Sequence, residues 1–220
     1  MKIAACFLVL ASLASGQVAI DANKGYQTPE QRGNVAANLV RADRDETQKP
    51  QELVQAMGVK PGMVVADIGT GAGYMLPFLS ESVGPRGKVL AEDIFDDFLS
   101  KAKDRAREKG LSNVEFVKGT VKNVGLPPGA VDIALALDSY HHYDHPAEMV
   151  SSIRDSLKPG GRFVIVDYYK RPGAMSRGDA MQHIRLDEDD VVREVEAQGF
   201  HEVSRHEHIP GSQYMVIFQK

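Results

Sequence analysis

The chain has 220 residues, of which 43% are hydrophobic and 25% are charged; this suffices for one globular domain with a sizeable core. Its formal net charge is −4 at pH 7, and no run of basic residues could follow a phosphate backbone. The composition therefore argues against nucleic acid as a partner. The sequence shows no internal repeat and no low-complexity segment.

The first sixteen residues have the pattern of a secretory signal peptide. Lys2 precedes an apolar run over residues 3–14, and small residues end the segment at Gly16. The run is too short to span a bilayer comfortably, so we expect export with cleavage near Gly16 and no stable membrane anchor. A helix retained on the fold is the alternative. Cleavage would remove Cys6, the only cysteine, so core packing would stabilise the exported protein without a disulfide.

An N-terminal extension over residues 17–50 is expected to follow the signal peptide. It is polar, with weak helical character after Pro29, and it ends in the charged run RADRDETQKP. This run is predicted to lead into a short helix over residues 52–57, which Gly58 ends. The main domain is then expected over residues 51–220.

Strand-like and helix-like runs alternate through the main domain. The predicted strands cover residues 63–67, 88–93, 114–118, 131–137, 162–168, 200–207 and 214–219. The predicted helices between them cover residues 73–83, 95–109, 146–157 and 188–198. Such alternation predicts a parallel sheet with helices on both faces. Only HIPGSQ separates the last two strands, so the fold class is α/β, with a Rossmann-like seven-stranded sheet, mostly parallel with a C-terminal antiparallel hairpin.

The stretch VADIGTGAG places three glycines after the first predicted strand. Gly69, Gly71 and Gly73 fall at the carboxyl end of that strand, where ligands bind in such sheets. Gly69 and Gly71 can let the backbone approach a ligand, Gly73 can bring the next helix close, and the helix start offers unpaired amides. An ordinary strand-to-helix turn needs one glycine, so three indicate a ligand site.

The spacing of these glycines and three acids distinguish between possible nucleotide ligands. The pattern D-x-G-x-G-x-G differs from the G-x-G-x-x-G of dinucleotide folds, and the Gly-Lys-Ser/Thr of a phosphate loop does not occur. Glu92 and Asp93 end the second strand, where a carboxylate can accept hydrogen bonds from two ribose hydroxyls. Asp67 suits a cationic group and would repel a phosphate. A ligand with a ribose, an ammonium and no phosphate is S-adenosylmethionine, the predicted cofactor.

With these features the chain resembles class I S-adenosylmethionine-dependent methyltransferases over about residues 52–219. VADIGTGAG resembles the first motif of the family, VLAEDI the acidic second motif, VDIALALDSYHHYDHP the fourth strand, and LKPGGRFVIVDY the fifth. Within the class, the chain is most similar to small predicted methyltransferases, often with export signals, that carry a charged segment before the core and a QYMVIF-like last strand. The resemblance implies that residues 51–220 form a methyltransferase domain.

The resemblance also implies that the ends of the first four strands supply the cofactor contacts. These are Asp67, Gly69, Thr70, Gly71, Gly73, Glu92, Asp93, Thr120, Val121 and Asp138. The third-strand segment has Gly119-Thr120 where the family usually has Gly-Asp, so the adenine contact would fall to Thr120 or to the Val121 amide. Asp138 is expected near the methionine end of the cofactor.

The loop after the fourth strand offers candidates for chemistry on the methyl acceptor. Methyl transfer requires the acceptor lone pair in line with the sulfonium methyl, and a base helps only if the acceptor must lose a proton. His141 and His142 are candidates for a general base or an acceptor-orienting group, and Tyr140 for packing on the ligand. A polar loop with solvated histidines is the alternative. A small-molecule acceptor is expected, and the oligomeric state stays open.

No metal site is predicted from the sequence. His141, Asp144 and His145 lie within five residues. However, histidines at i and i+4 bind metal on a helix, and Pro146 follows at once.

Two other functions stay open at this point. One is a protein that binds the cofactor without turnover, since an intact glycine motif says nothing about catalysis. The other is a nucleotide-dependent oxidoreductase on a similar fold, against which the glycine spacing argues.

Overall fold

The computed structural model describes residues 18–220. The predicted signal peptide, residues 1–16, lies outside the described residues, so its export and cleavage stay predictions. Within residues 18–220, no helix is both long enough and apolar enough to cross a membrane.

The N-terminal extension contains more helix than its sequence indicated. A 3₁₀ turn over Ala22–Tyr26 precedes helices α1 (Pro29–Leu39), α2 (Arg44–Gln48) and α3 (Pro50–Met57). Thr28 begins α1 with a capping box, in which the Thr28 hydroxyl accepts the Gln31 amide and the Gln31 side chain accepts the Thr28 amide. The charged run after α1 therefore holds a helix, α2, where only a lead-in was predicted.

Seven strands form one sheet in the order β3-β2-β1-β4-β5-β7-β6. They are β1 (Val64–Ile68), β2 (Lys88–Asp93), β3 (Val114–Lys118), β4 (Val131–Leu137), β5 (Leu157–Tyr168), β6 (His201–Ile209) and β7 (Gln213–Gln219). Strands β1 to β5 pair in parallel, and β7 pairs antiparallel with both β5 and β6. The predicted sheet with its C-terminal antiparallel hairpin is confirmed. The strand order reverses at β1 and β4, which opens a crevice at their carboxyl ends.

Helices cover both faces of the sheet. The remaining helices are α4 (Leu76–Val83), α5 (Asp96–Glu108), α6 (Pro146–Ser156), α7 (Ala180–His183) and α8 (Glu188–Glu196). One hydrophobic cluster joins the sheet to α6 and α8, and the other joins it to α3, α4 and α5. With both faces covered, the central strand β4 is apolar along nearly its whole length and reads VDIALAL.

Two element boundaries differ from the sequence prediction by three residues or more, and the others differ by no more than two. Helix α4 begins at Leu76 and not at residue 73, because Gly69, Gly71 and Gly73 have φ angles of +72°, +55° and +77° and form a loop that is not helical. Strand β5 begins at Leu157 and not at residue 162, because Leu157 pairs with Val131 across an irregularity in the β4–β5 ladder.

Candidate functional site

A cavity of about 460 Å³ lies in the crevice at the carboxyl ends of β1, β2, β3 and β4, a volume in the usual range for small-molecule sites. Nine of the ten predicted cofactor contacts line it: Asp67, Gly69, Thr70, Gly71, Glu92, Asp93, Thr120, Val121 and Asp138. The exception is Gly73, where a Cβ would lie 3.1 Å from the Cα of Ala102. Gly73 therefore allows the loop to pack closely on α5, whereas the sequence assigned it to packing of the next helix against the strand.

Backbone forms the wall of the cavity at the glycine loop. The Gly69 amide donates to Glu92 Oε2 at 3.2 Å, and the Gly71 amide donates to Asp93 Oδ2 at 2.9 Å. A Cβ on Gly71 would lie 2.7 Å from Leu39 Cδ1. Two carboxylates of β2 thus fix the conformation of the loop, and a side chain at position 71 would clash with Leu39.

The acids at the ends of β1 and β2 are buried. Burial raises the pKa of Asp67 to about 6, although the Thr70 hydroxyl donates to it at 2.7 Å, and burial raises the pKa of Asp93 to about 6 as well. Burial also raises the pKa of Glu92 well above its usual value. Within residues 18–220, Glu92 Oε1 is buried without a hydrogen-bond partner. This oxygen lies against Gly119, where a Cβ would come within 1.8 Å of it. Glu92 and Asp93 both line this end of the cavity, which suits a ligand that carries hydroxyl donors.

The far end of the cavity is built around Asp138, which follows β4. Its φ of +51° is in the left-handed region, which is uncommon for a residue other than glycine. Arg44 Nη2 lies 3.0 Å from Asp138 Oδ2, and Gln213 Nε2 donates to Oδ1 at 2.5 Å. Burial raises the pKa of Asp138 to about 7, and the buried Arg44 guanidinium limits this rise. The N-terminal extension and β7 therefore both hold this carboxylate in place.

The described part of the N-terminal extension, residues 18–49, forms a roof over the cavity. Tyr26, Leu39 and Arg44 line the cavity from this roof. The Arg44 guanidinium lies over the ring of Tyr74, 4.1 Å from its centroid, and Nη1 donates to the Leu39 carbonyl at 2.6 Å. The sequence indicated neither the roof nor Arg44 as part of the site. The only signal was the charged run in which Arg44 lies.

The two candidates for the adenine contact, Thr120 and the Val121 amide, differ in whether their hydrogen-bonding groups already have partners within the protein. The Thr120 hydroxyl accepts the amides of Lys122 and Asn123, and the Thr120 amide donates to the Asn123 carbonyl at 2.8 Å. In the described chain, no acceptor is bonded to the Val121 amide. The Val121 amide is therefore the more available of the two predicted donors.

The predicted catalytic histidines lie on a 3₁₀ turn, Tyr140–His142, directly after β4. His142 lines the cavity, and its Nδ1 lies 2.9 Å from Asn23 Oδ1. His141 is only 4% exposed and does not line the cavity; its Nδ1 lies 2.7 Å from Asp167 Oδ1. Burial and neighbouring histidines hold the pKa of both rings well below the usual value, so both are neutral at neutral pH. Of the two candidates, only His142 faces the cavity.

The residues around these histidines make contacts that the sequence did not predict. Tyr140 was a candidate for packing on the ligand, but its ring is fully buried in the core and its hydroxyl donates to Glu194 at 2.6 Å. Asp144 accepts the Ala19 amide from the roof at 3.3 Å. A third ring, that of His183 on α7, lies 4.9 Å from the His141 ring. His183 was missed because no local pattern marks it.

Comparison with known proteins agrees with this architecture. The methyltransferase domain family matches residues 59–209. Ubiquinone/menaquinone biosynthesis C-methyltransferases UbiE are similar over 121 residues in Ectopseudomonas mendocina and 118 residues in Pseudomonas putida strain GB-1, at 32% identity in each case. These matches cover 54% and 53% of this chain and 47% and 46% of the relatives, so the chain spans about half the length of those relatives.

Solved structures show the same fold. A SAM-dependent methyltransferase from Aquifex aeolicus is 27% identical, with a TM-score of 0.79, over 84% of this chain and 97% of its own. The [4+2]-cyclase SpnF is 17% identical, with a TM-score of 0.66, over 79% of this chain and 80% of its own. The second likeness shows the fold alone.

The chain belongs to the methyltransferase domain family, on the seven-stranded fold of class I S-adenosylmethionine-dependent methyltransferases. The class of protein and its cofactor, S-adenosylmethionine, are therefore as predicted from the glycine loop and the acids of β2.

Proposed function

We propose that the protein transfers the methyl group of S-adenosylmethionine to a small or medium-sized acceptor. The observation that carries this proposal is the cavity at the strand reversal, which gathers nine predicted cofactor contacts from four strand ends under one roof. Family membership supports the reaction class, while the size of the acceptor is inferred from the volume of the cavity.

The residues of the cavity fit the chemical parts of the cofactor. Glu92 and Asp93 line the cavity, where their carboxyl groups suit the ribose hydroxyls. The Val121 amide suits an adenine nitrogen. Asp67 and Asp138 place negative charge on the side where the amino-acid part, with its ammonium, would bind. The bound cofactor supplies an electrophilic methyl group on a sulfonium.

The protein's own contribution to transfer would be positioning and exclusion of water. The roof lies over the cavity through Tyr26, Leu39 and Arg44, so an acceptor must share a space of about 460 Å³ with the cofactor. His142 is the predicted histidine that faces this space, and its neutral ring can accept a proton or orient an acceptor hydroxyl or amine. Most of the rate would come from alignment of the acceptor with the methyl group.

The experiment that tests the proposal supplies cofactor labelled in the methyl group to the purified protein together with a metabolite extract. A quinone precursor should be included among defined acceptors, because the relatives at 32% identity are named for ubiquinone and menaquinone C-methylation. We expect label in a low-molecular-weight product. Tight binding of cofactor without transfer to any acceptor would instead favour a cofactor-binding protein without turnover.

A further inference from the structure

Three histidine rings from two distant segments meet beside the cofactor cavity. His141 and His142 follow β4, and His183 ends α7. One ring nitrogen from each lies within 4.8 Å of the others, and the ring centroids are 4.1 to 5.4 Å apart. His142 lines the cofactor cavity, whereas His183 lines a second, open cavity of about 920 Å³. The cluster therefore lies between two cavities.

Hydrogen bonds orient two of these rings. His141 Nδ1 lies 2.7 Å from Asp167 Oδ1, and Asp167 also accepts the backbone amides of His141 and Tyr168. His142 Nδ1 lies 2.9 Å from Asn23 Oδ1. Because a carboxylate and an amide oxygen accept hydrogen bonds, each Nδ1 carries the proton and each Nε2 keeps its lone pair. Histidines that bind metal ions show this arrangement, in which an outer acceptor fixes the ring and its tautomer.

We propose that His141, His142 and His183 bind one divalent transition-metal ion of the Zn²⁺ class. Three imidazoles with an open fourth position are the donor set of one type of catalytic zinc site, and imidazole also suits Cu, Fe and Ni. Zn–N bonds of about 2.0–2.1 Å place tetrahedral ligand nitrogens about 3.3 Å apart. The rings must therefore close on binding, and His183, half-buried on a four-residue helix, is the one with room to move.

The open position of this metal ion would be available to a ligand in one of the two cavities. With the ion bound, His142 Nε2 would be a metal ligand and could not accept a proton. An acceptor that carries an oxygen or sulfur ligand atom would then be held at the open position beside the cofactor. That consequence rests on the proposed function, whereas metal binding itself does not. The sequence did not reveal the site, because His183 is far from the other two histidines along the chain.

The test uses the full chain after treatment with a chelator and dialysis. Zn²⁺ binding is measured by calorimetry, and Co²⁺ is used as a second probe because its visible absorption reports a four-coordinate site. Cys6 is the only thiol, so the same titrations on Cys6→Ser exclude it as the ligand. The main variant is His183→Ala, and the matched control is His206→Ala, which removes an exposed histidine on β6.

We expect the protein to bind one Zn²⁺ per chain, with unchanged affinity in Cys6→Ser and His206→Ala. In His183→Ala the affinity for Zn²⁺ should be at least about 100-fold weaker, because loss of an outer-shell partner alone weakens metal binding 10–100-fold. The visible absorption of bound Co²⁺ should disappear in His183→Ala, while the circular dichroism of the protein backbone in this variant stays native. Absence of stoichiometric binding, or equal affinity in His183→Ala and the control, would overturn the proposal. Transfer of label from the methyl-labelled cofactor to an acceptor, measured separately, tests the proposed function independently of metal binding.

Discussion

Gly71 lies where the backbone of the β1 loop meets the first helix of the roof. Its φ of +55° suits glycine, and a Cβ there would lie 2.7 Å from Leu39. Its amide donates to Asp93, so the same residue shapes the cavity and fixes one of the acids. A side chain at this position would strain the backbone, clash with Leu39 of the roof and disturb the hydrogen bond to Asp93.

We expect Gly71→Val to abolish binding of S-adenosylmethionine and of its demethylated product. Valine in the left-handed region costs roughly 1–2 kcal/mol, and its branched side chain would occupy the cavity. The matched control is Gly33→Val, because nothing lies within 4 Å of a Cβ built on Gly33. Calorimetry should show full affinity in the control, and thermal unfolding should show that both variants fold. Native affinity in Gly71→Val would contradict the assignment of the cavity.

Asp93 should make cofactor affinity depend on pH. Its pKa is raised to about 6, mainly by burial, with Asp67 raising it further and Lys118 lowering it. The charged form accepts ribose hydroxyls better than the protonated form, so protonation below pH 6 opposes binding. We expect affinity for the demethylated cofactor to fall by up to about tenfold per pH unit below pH 6, as measured by calorimetry.

The Asp93→Asn variant provides the comparison for this pH dependence. It should bind more weakly at pH 7.5, by roughly 1.5–3 kcal/mol for each lost bond to a charged group. Its affinity should also change less with pH, with a residual dependence from Asp67, whose pKa is also about 6. An identical pH profile in the two proteins would show that Asp93 is not the group that titrates.

Among the elements, the roof depends on one buried ion pair. The side chains of Arg44 and Asp138 are 6% and 13% exposed, so neither charge can be solvated if its partner is removed. Gln48 Nε2 donates to Gln213 Oε1 at 2.8 Å, and Gln213 donates to Asp138. This chain of contacts ties α2 to β7 and to the end of β4. The roof is thereby coupled to the site it covers.

We expect Arg44→Met to loosen the roof and weaken cofactor binding. Breaking a buried pair from one side costs about 3–5 kcal/mol, because it leaves an unpaired buried charge. The control is Arg41→Met, since the pair of Arg41 and Asp43 is more exposed, at 32% and 63%, and such pairs contribute about 0–1 kcal/mol.

Hydrogen exchange measured by mass spectrometry distinguishes these two variants. Exchange over residues 18–49 should be faster in Arg44→Met and native in Arg41→Met. Addition of the demethylated cofactor should slow exchange of the same residues in the wild-type protein. Equal exchange in all three proteins would show that the ion pair does not hold the roof.

For the whole molecule, export stays a prediction from residues 1–16. If the signal peptide is cleaved, the exported protein should begin at or near Gln17 and should contain no thiol, because Cys6 is the only cysteine. Intact-mass measurement of protein recovered from its native compartment tests both points. An uncleaved segment on mature cytosolic protein would contradict export.

The sequence by itself determined the fold class and predicted which strand ends line the cavity. Strand and helix periods are local, so the alternation of elements predicted the sheet, and the turn at Gly69 and Gly71 was marked by glycines only two residues apart. Asp93 was found because a strand end places its last residues in the crevice. These inferences needed only short stretches of chain and the general geometry of parallel sheets.

Only the tertiary structure decided which distant residues complete the site. Arg44 and Asp138 are 94 residues apart, and His183 lies far from His141 along the chain. It also showed that His142 faces the cavity while His141, one residue earlier, binds Asp167. No short-range pattern encodes such contacts, because they depend on strand order, on the path of the roof and on packing between elements. Contacts between side chains that are distant in sequence form only when the elements pack together, so the spacing of residues along the chain does not predict them.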